Sequence, residues 1–195
     1  MRHLIARTVC ASGLVALAAS ADPLVAREPF AKAHVQMMVR AENDGQARLI
    51  ELEVWAEGTR LRALASGEKG IASELWIDGL ATEPILLKNG KVTEPKRHSL
   101  EHGLLLALRP SPDLGNSKND RVAGKPCKVV TEEVRPGVAL TRCIWRGLPL
   151  SVELTGGGFA FNAAATMVTE GAVTVADLQP PLGAPSASKG LSAGR

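Results

Sequence analysis

A period-two alternation of apolar and charged side chains runs through the middle of this chain and limits the folds open to it. In RLIELEVWAEG, Leu52 and Val54 alternate with glutamates, and after Glu57-Gly58 the same alternation returns in RLRALAS. Successive residues of a strand point to opposite faces, so each segment predicts a half-buried strand. The Glu57-Gly58 dipeptide predicts a tight turn between them.

Comparable segments predict further strands on both sides of this hairpin. AHVQMMVRAEND, ELWID and PILLKNGKVTE read as strands, with Asn89-Gly90 as a turn, and 138–154 reads as two strands around Arg146-Gly147. FAFNAAATMVTEGAVTVADL supplies one or two more. The sequence therefore predicts a mainly β (α+β) fold: a curved antiparallel sheet or half-barrel of about seven to nine strands, with one or two helices on its concave face.

Two segments have helical rather than extended patterns. One is DPLVAREPFAKAHV at 22–35, and the other is RHSLEHGLLLALRP at 97–110, in which Leu100, Leu104 and Leu108 recur at helical spacing. Pro110 would end the second helix. We expect its leucine stripe to pack against the concave face of the sheet.

Both ends of the chain differ in composition from its middle. Residues 1–21 place Arg2 and Arg7 before an apolar stretch that ends in Ala19-Ser20-Ala21, which is typical of a secretory signal cleaved near Ala21. Residues 180–195 are built from Pro, Gly, Ser and Ala, a composition typical of disorder. The predicted organisation is a signal at 1–21, a single β-rich domain at 22–179 and a tail at 180–195. The predicted location is periplasmic or secreted.

Charge and aromatic content exclude several partners. The chain has 23 Lys and Arg against 20 Asp and Glu, and loss of Arg2 and Arg7 with the signal leaves one more basic than acidic residue. Such a balance does not predict a nucleic-acid partner. Aromatic residues make up only 3% of the chain, and there is no Tyr, so no ladder of rings is available to stack bases or sugars. The longest apolar run after the signal, GLLLAL, is far too short for a transmembrane anchor.

Cys127 and Cys143 are the two cysteines that remain once the signal is removed. In an oxidising compartment they are expected to pair. If Pro136-Gly137 forms the centre of a hairpin turn, strict register sets Cys127 opposite residue 146, three positions past Cys143. A longer loop or a β-bulge would bring the two sulfurs together. A redox site would need a C-x-x-C spacing or a thiolate at a helix start, and the sequence has neither.

The sequence contains no clear catalytic or cofactor-binding group. His98 and His102 would lie on one helical face, as zinc ligands can, but they lack an H-E-x-x-H arrangement and a third ligand nearby. No G-x-S-x-G elbow is present, and TGGGF at 155–159 lacks the lysine of a phosphate loop. We predict a non-enzymatic protein without a metal or cofactor.

The order of ELEVWAEGTRLRA, ELWID, RVAGKPCKVV, TRCIW, GLPLSVEL and GAVTVADLQPPLG resembles that of periplasmic proteins related to the outer-membrane lipoprotein-sorting (LolA-type) carriers. The matching positions are Gly124, Pro126, Cys127, Cys143, Gly147, Leu148, Pro149 and Leu150, within a region of about 34–183. The resemblance implies a half-barrel with helices across its mouth, an apolar cavity for acyl chains, and no catalytic residues. The low aromatic content of this chain is a departure from that pattern.

The resulting functional hypothesis is a non-catalytic carrier that binds a lipophilic ligand, such as an acyl chain or the lipid of a lipoprotein, inside the sheet. The expected lining residues are Met37, Met38, Leu52, Val54, Leu75, Ile77, Leu104 and Leu108. A second hypothesis is a structural protein with a filled core that docks another envelope protein through its outer face or an edge strand. A metal-dependent enzyme using His98 and His102 is the third.

Overall fold

The fold is described from a computed structural model, which covers residues 29–43, 45–67, 70–78, 84–110 and 117–180. The predicted signal and all but the first residue of the predicted tail lie outside these ranges. The elements, in chain order, are β1 (Phe30–Asn43), β2 (Gln46–Gly58), β3 (Arg60–Gly67), β4 (Gly70–Asp78), β5 (Ile85–Lys88), β6 (Lys91–Val92), α1 (Leu100–Leu108), β7 (Lys118–Val122), β8 (Lys125–Arg135), β9 (Val138–Trp145), β10 (Leu148–Gly156), β11 (Phe159–Glu170) and a 3₁₀ turn (Ala176–Leu178).

All eleven strands belong to one open antiparallel sheet in the order β6-β5-β4-β3-β2-β1-β11-β10-β9-β8-β7. Two meanders, β1 to β6 and β7 to β11, are joined where β1 pairs with β11. Helix α1 lies on the chain between the two outermost strands, β6 and β7.

The sheet curves around α1. The helix contacts β4 as well as β9 and β10, although four strands separate β4 from β10 in the sheet. In a flat sheet these two strands would be about 24 Å apart. A helix of nine residues is only about 14 Å long and about 10 Å wide. One short helix contacts both because the sheet bends towards it, and we call the concave side the inner face.

The period-two alternation places the predicted apolar residues on this inner face. Val54 pairs with Val35 of β1 on one side and with Ala63 of β3 on the other, and Ala63 pairs in turn with Leu75 of β4. All four are buried. Intervening residues such as Glu51 point outward into solvent.

The helix predicted at 22–35 is wrong where the structure describes it. Residues from Phe30 onward form β1, which is hydrogen-bonded to β2 and β11 on its two sides. Val35, Met37 and Val39 continue a period-two burial pattern along the strand. The backbone pairs of a central strand, together with that pattern, outweigh the local helical preference of the segment.

The strand number is also higher than predicted, eleven rather than seven to nine. The edge strands explain much of the difference, since β6 has two residues and β7 reads KNDRV, with four of its five residues exposed. A polar edge strand needs no buried face, so it carries no apolar alternation from which it could be predicted.

Cys127 and Cys143 form the disulfide expected from the sequence, with Cα atoms 5.4 Å apart. Pro136-Gly137 is the turn, because Arg135 pairs with Val138, and a bulge at Val134 then shifts the register so that Val129 faces Cys143. Continuing that register sets Cys127 opposite Trp145. The bulge reduces the mismatch between the two cysteines from three positions to two. Cys127 and Cys143 are therefore diagonal neighbours on the same face of the hairpin.

After β11 the chain crosses the outer face of the sheet. The amide of Gly171 donates to the carbonyl of Lys32, and the 3₁₀ turn contacts β2 and β3, with Leu178 buried. None of the helices in the described part of the chain has the length and apolarity that a membrane crossing needs.

Candidate functional site

Most of the side chains that the sequence predicts at a ligand site belong to the buried core that α1 shares with the inner face. Seven of the eight belong to one core cluster and are at most 5% exposed: Met37, Leu52, Val54, Leu75, Ile77, Leu104 and Leu108. Met38 is 42% exposed and lies on the outer face, because neighbouring residues of a strand point in opposite directions. Met38 is therefore separated from the other seven by the sheet itself.

Helix α1 approaches the sheet closely because it carries a glycine at the contact. A Cβ atom at Gly103 would lie 2.4 Å from Cδ2 of Phe161 in β11, which is far inside contact distance. Leu104, Ala107 and Leu108 are buried beside it, whereas Leu100 is only partly buried. The predicted leucine stripe thus packs on the sheet through its last two members.

One polar group anchors the first turn of α1 to the β4–β5 side of the sheet. The buried carboxylate of Glu101 accepts a hydrogen bond of 2.9 Å from Oγ of Ser73 and forms an ion pair of 2.9 Å with Nζ of Lys88. Burial favours the neutral acid, but the hydrogen bonds from Lys88, from the backbone of Glu101 and from Ser73 outweigh it, and the pKa of Glu101 falls to about 2. Glu101 is therefore ionised at neutral pH.

A second polar group anchors the other end of the helix to the β8–β9 side. The guanidinium of Arg142, a residue that is 1% exposed, donates to the carbonyl oxygen of Arg109 and to a carboxylate oxygen of Glu132, both at 2.7 Å. Arg109 itself pairs with the second carboxylate oxygen of Glu132 at 2.7 Å. The two anchors fix α1 to opposite sides of the curved sheet, and the contacts between them are apolar.

These anchoring residues were missed by sequence reasoning, although each leaves a signal. Arg142 follows Val138 and Leu140 at spacings of two, so it occupies an inward position on a buried strand. Glu101 lies three and seven residues before Leu104 and Leu108, which places it on their side of the helix. A charged residue in an apolar register predicts a buried ion pair.

The prediction that His98 and His102 share a helical face is wrong. Helix α1 begins at Leu100 with Ser99 as its N-cap, so His98 precedes it, and the backbone of His98 has φ 61°. Nη2 of Arg135 donates a 2.6 Å hydrogen bond to Nε2 of His98. Within the described ranges, no three His, Cys, Asp or Glu side chains come together in a way that would hold a metal ion.

An open groove of about 630 Å³ borders the second anchor, because Glu132 is one of its lining residues. It runs along the ends of β8, β9 and β10 and is lined mainly by small and polar residues: Thr131, Glu132, Glu133, Gly137, Val138, Ala139, Thr155 and Gly156. This groove does not contain any of the residues predicted to line a ligand cavity.

No family model matches this chain, and no curated protein matches it. Among solved structures, it is similar to MucB, with 19% identity and a TM-score of 0.48 over 80% of this chain and 60% of that chain. In the complex of MucA and MucB from Pseudomonas aeruginosa, the matched chain is 18% identical with a TM-score of 0.41, over 77% of this chain and 56% of that chain. This chain thus spans less than two thirds of the MucB chains it matches.

A third similar structure is an outer membrane lipoprotein-sorting protein domain from Vibrio parahaemolyticus. It is 10% identical with a TM-score of 0.38, over 75% of this chain and 88% of that chain. At these identities and TM-scores, all three are distant likenesses.

Proposed function

We infer that this chain is an exported, non-catalytic envelope protein that binds a lipophilic ligand on the inner face of the sheet, beneath α1. Export follows from the signal-like residues 1–21, and the ligand class follows from the chemistry of the inner face. The proposed ligand is an acyl chain or the lipid part of a lipoprotein. Leu52, Val54, Leu75 and Ile77 are the proposed contacts on the sheet.

The observation that carries this proposal is the apolar contact between α1 and the sheet, which is held by polar anchors only at its two ends. Such a contact can be exchanged for another apolar surface. Exposing Leu104 and Leu108 would cost about 3–6 kcal/mol, at about 1.5–3 kcal/mol for each side chain. An acyl chain of ten methylenes would gain about 8 kcal/mol by burial in their place. The proposed ligand therefore needs a chain of roughly this length or longer.

Titration with N-phenylnaphthylamine, a neutral probe that fluoresces in apolar surroundings, tests the proposal. We expect saturable binding of one probe per chain, and displacement of the probe by lipid extracted from the envelope. Val54→Trp would fill the inner face and weaken probe binding by more than the roughly 1–3 kcal/mol that overpacking removes from stability. Met38→Trp adds the same side chain on the outer face and should leave binding unchanged. A folded protein without saturable binding would contradict the proposal.

A filled core that supports docking of another envelope protein is the second candidate. It is favoured by the burial of the seven inner residues to 5% exposure or less, and by apolar side chains left on the surface, namely Met38, Leu49 and Met167. This candidate predicts no probe binding. It also predicts a stable complex with an envelope protein that is lost when a proline is placed in the edge strand β7.

A further inference from the structure

A cluster of basic side chains lies where the chain enters α1. Arg135, at the end of β8, donates to Nε2 of His98, and His102 lies in the first turn of α1. Burial lowers the pKa of His102, and the neighbouring side chains of Arg135, His98 and Arg97 lower it further. The electrostatic surroundings of His102 are thus positive.

Arg135 differs from the other partly buried arginines of the sheet in its partner. Arg62 pairs with Glu74, and Arg142 pairs with Glu132. Among the described residues, no carboxylate lies within ion-pairing distance of Arg135, and its hydrogen-bond partner is an imidazole. The nearby carboxylate of Glu133 instead accepts from the amide of Gly137 in the hairpin turn. Arg135 therefore keeps N–H donors from which the oxygens of an anion could accept.

The hydrogen bond also fixes how His98 can act. Because a guanidinium only donates, Nε2 of His98 must be unprotonated, and the ring proton is then on Nδ1. The Nδ1–H of His98 then points away from Arg135, so the guanidinium of Arg135 supplies the donors of this cluster and His98 holds it in place. Guanidinium groups bind the oxygens of carboxylates and phosphates in a fixed planar geometry.

The cluster borders the apolar interior. The ring of His98 is stacked on that of Phe159, with centroids 6.1 Å apart and an interplanar angle of 10°. Phe159 is 5% exposed and belongs to the core cluster, together with Phe161 against which α1 packs. A group bound at Arg135 would lie at the boundary between solvent and the inner face, which is where the polar end of an amphiphile belongs.

We propose that Arg135, held in place by His98, binds the anionic head group of an amphiphilic ligand whose apolar chain lies on the inner face beneath α1. The proposal rests on the function proposed above and narrows it to ligands that carry a carboxylate or phosphate at one end. A neutral lipophile of the same length uses only the apolar part of the site.

The test compares dodecanoic acid with dodecanol, two ligands of the same chain length that differ in head-group charge. Each displaces N-phenylnaphthylamine from the full mature chain at neutral pH, and inorganic phosphate alone is a third arm. We expect the acid to bind at least about tenfold more tightly than the alcohol, which is the effect of a hydrogen bond to a charged group. Arg135→Gln should abolish that difference by weakening the acid alone.

Arg121→Gln is the matched control, because it removes the same charge from an exposed arginine of β7. Arg121 faces Pro126, nine residues before Arg135 on β8, so it lies about 30 Å from the cluster. It should leave both affinities unchanged.

The other outcomes distinguish failure of the head-group assignment from failure of the proposed function. Equal affinities for acid and alcohol would overturn the head-group assignment and leave apolar binding standing. If neither the acid nor the alcohol binds, both the head-group assignment and the proposed binding of a lipophilic ligand are wrong. Inorganic phosphate that binds as tightly as the acid would overturn the assignment to an amphiphile, since the anion alone would then occupy the cluster.

Discussion

Glu101 is the residue at which pH acts on the position of α1. Its pKa in the folded chain is about 2, against an ordinary value of 4.5, so its ionised form stabilises the fold. That stabilisation is fully present above about pH 4.5 and is lost as the pH falls towards 2. Glu101→Gln should lower the free energy of unfolding by about 1–3 kcal/mol at pH 7. Urea unfolding at several pH values should show the wild type losing this advantage between pH 4.5 and 2; a constant difference would contradict it.

Gly103 is a residue at which one added atom would disturb the close packing of α1 on the sheet. Alanine is favoured over glycine by about 1 kcal/mol in a helix, yet a methyl group here would lie 2.4 Å from the ring of Phe161. We expect Gly103→Ala to lower the free energy of unfolding by about 1–3 kcal/mol, because α1 must move away from the sheet. Gly67→Ala is the control, since nothing lies within 4 Å of its added Cβ. If both variants were equally stable in thermal melts, the close approach of α1 would be wrong.

The β8–β9 hairpin is the element whose stability depends on a covalent link. Its disulfide closes a loop with a sequence separation of 16 residues, worth about 3 kcal/mol in the chain-entropy description. Thiol titration of the unfolded, unreduced protein should find neither Cys127 nor Cys143 free. Replacing both with serine should lower the free energy of unfolding by about 3 kcal/mol and steepen its urea dependence, because the unfolded chain without the link exposes more surface. Two titratable thiols in the mature chain would contradict the pairing.

Elements with one buried face could be predicted from the sequence, and elements held by long-range contacts could not. Val54 and Ile77 were predicted as inward-facing because the alternation of apolar and polar residues follows directly from the burial of one face of a strand. Strand β7 has no buried face, so its sequence shows no such alternation. The first residues of β1 read as a helix because their pairing with β2 and β11 is not encoded locally. The ion pairs of Glu101 with Lys88 and of Arg142 with Glu132 join residues 13 and 10 positions apart that lie on different elements, so the partners are brought together only in the folded chain.

At the scale of the whole molecule, the two meanders are connected twice. The pairing of β1 with β11 joins them within the sheet, and α1 joins them across its inner face. Of these two connections, only α1 covers the inner face on which the proposed ligand would bind. Because the sheet remains hydrogen-bonded when α1 is displaced, opening of the inner face is a local event that does not require global unfolding.

Weakening an anchor of α1 should therefore strengthen ligand binding while it weakens the fold. If the ligand replaces α1, its apparent affinity is reduced by the small fraction of molecules in which α1 is displaced, and any change that raises this fraction raises the affinity. Ser73→Ala removes one hydrogen bond to Glu101, worth about 1 kcal/mol, so it should raise the affinity for N-phenylnaphthylamine about fivefold and lower the melting temperature. Ser151→Ala makes the same change on β10, but its side chain lies on the outer face, opposite to α1, so it should alter neither quantity. An unchanged or lower affinity in Ser73→Ala would mean that the ligand binds with α1 in place, and the exchange of helix for ligand would be wrong.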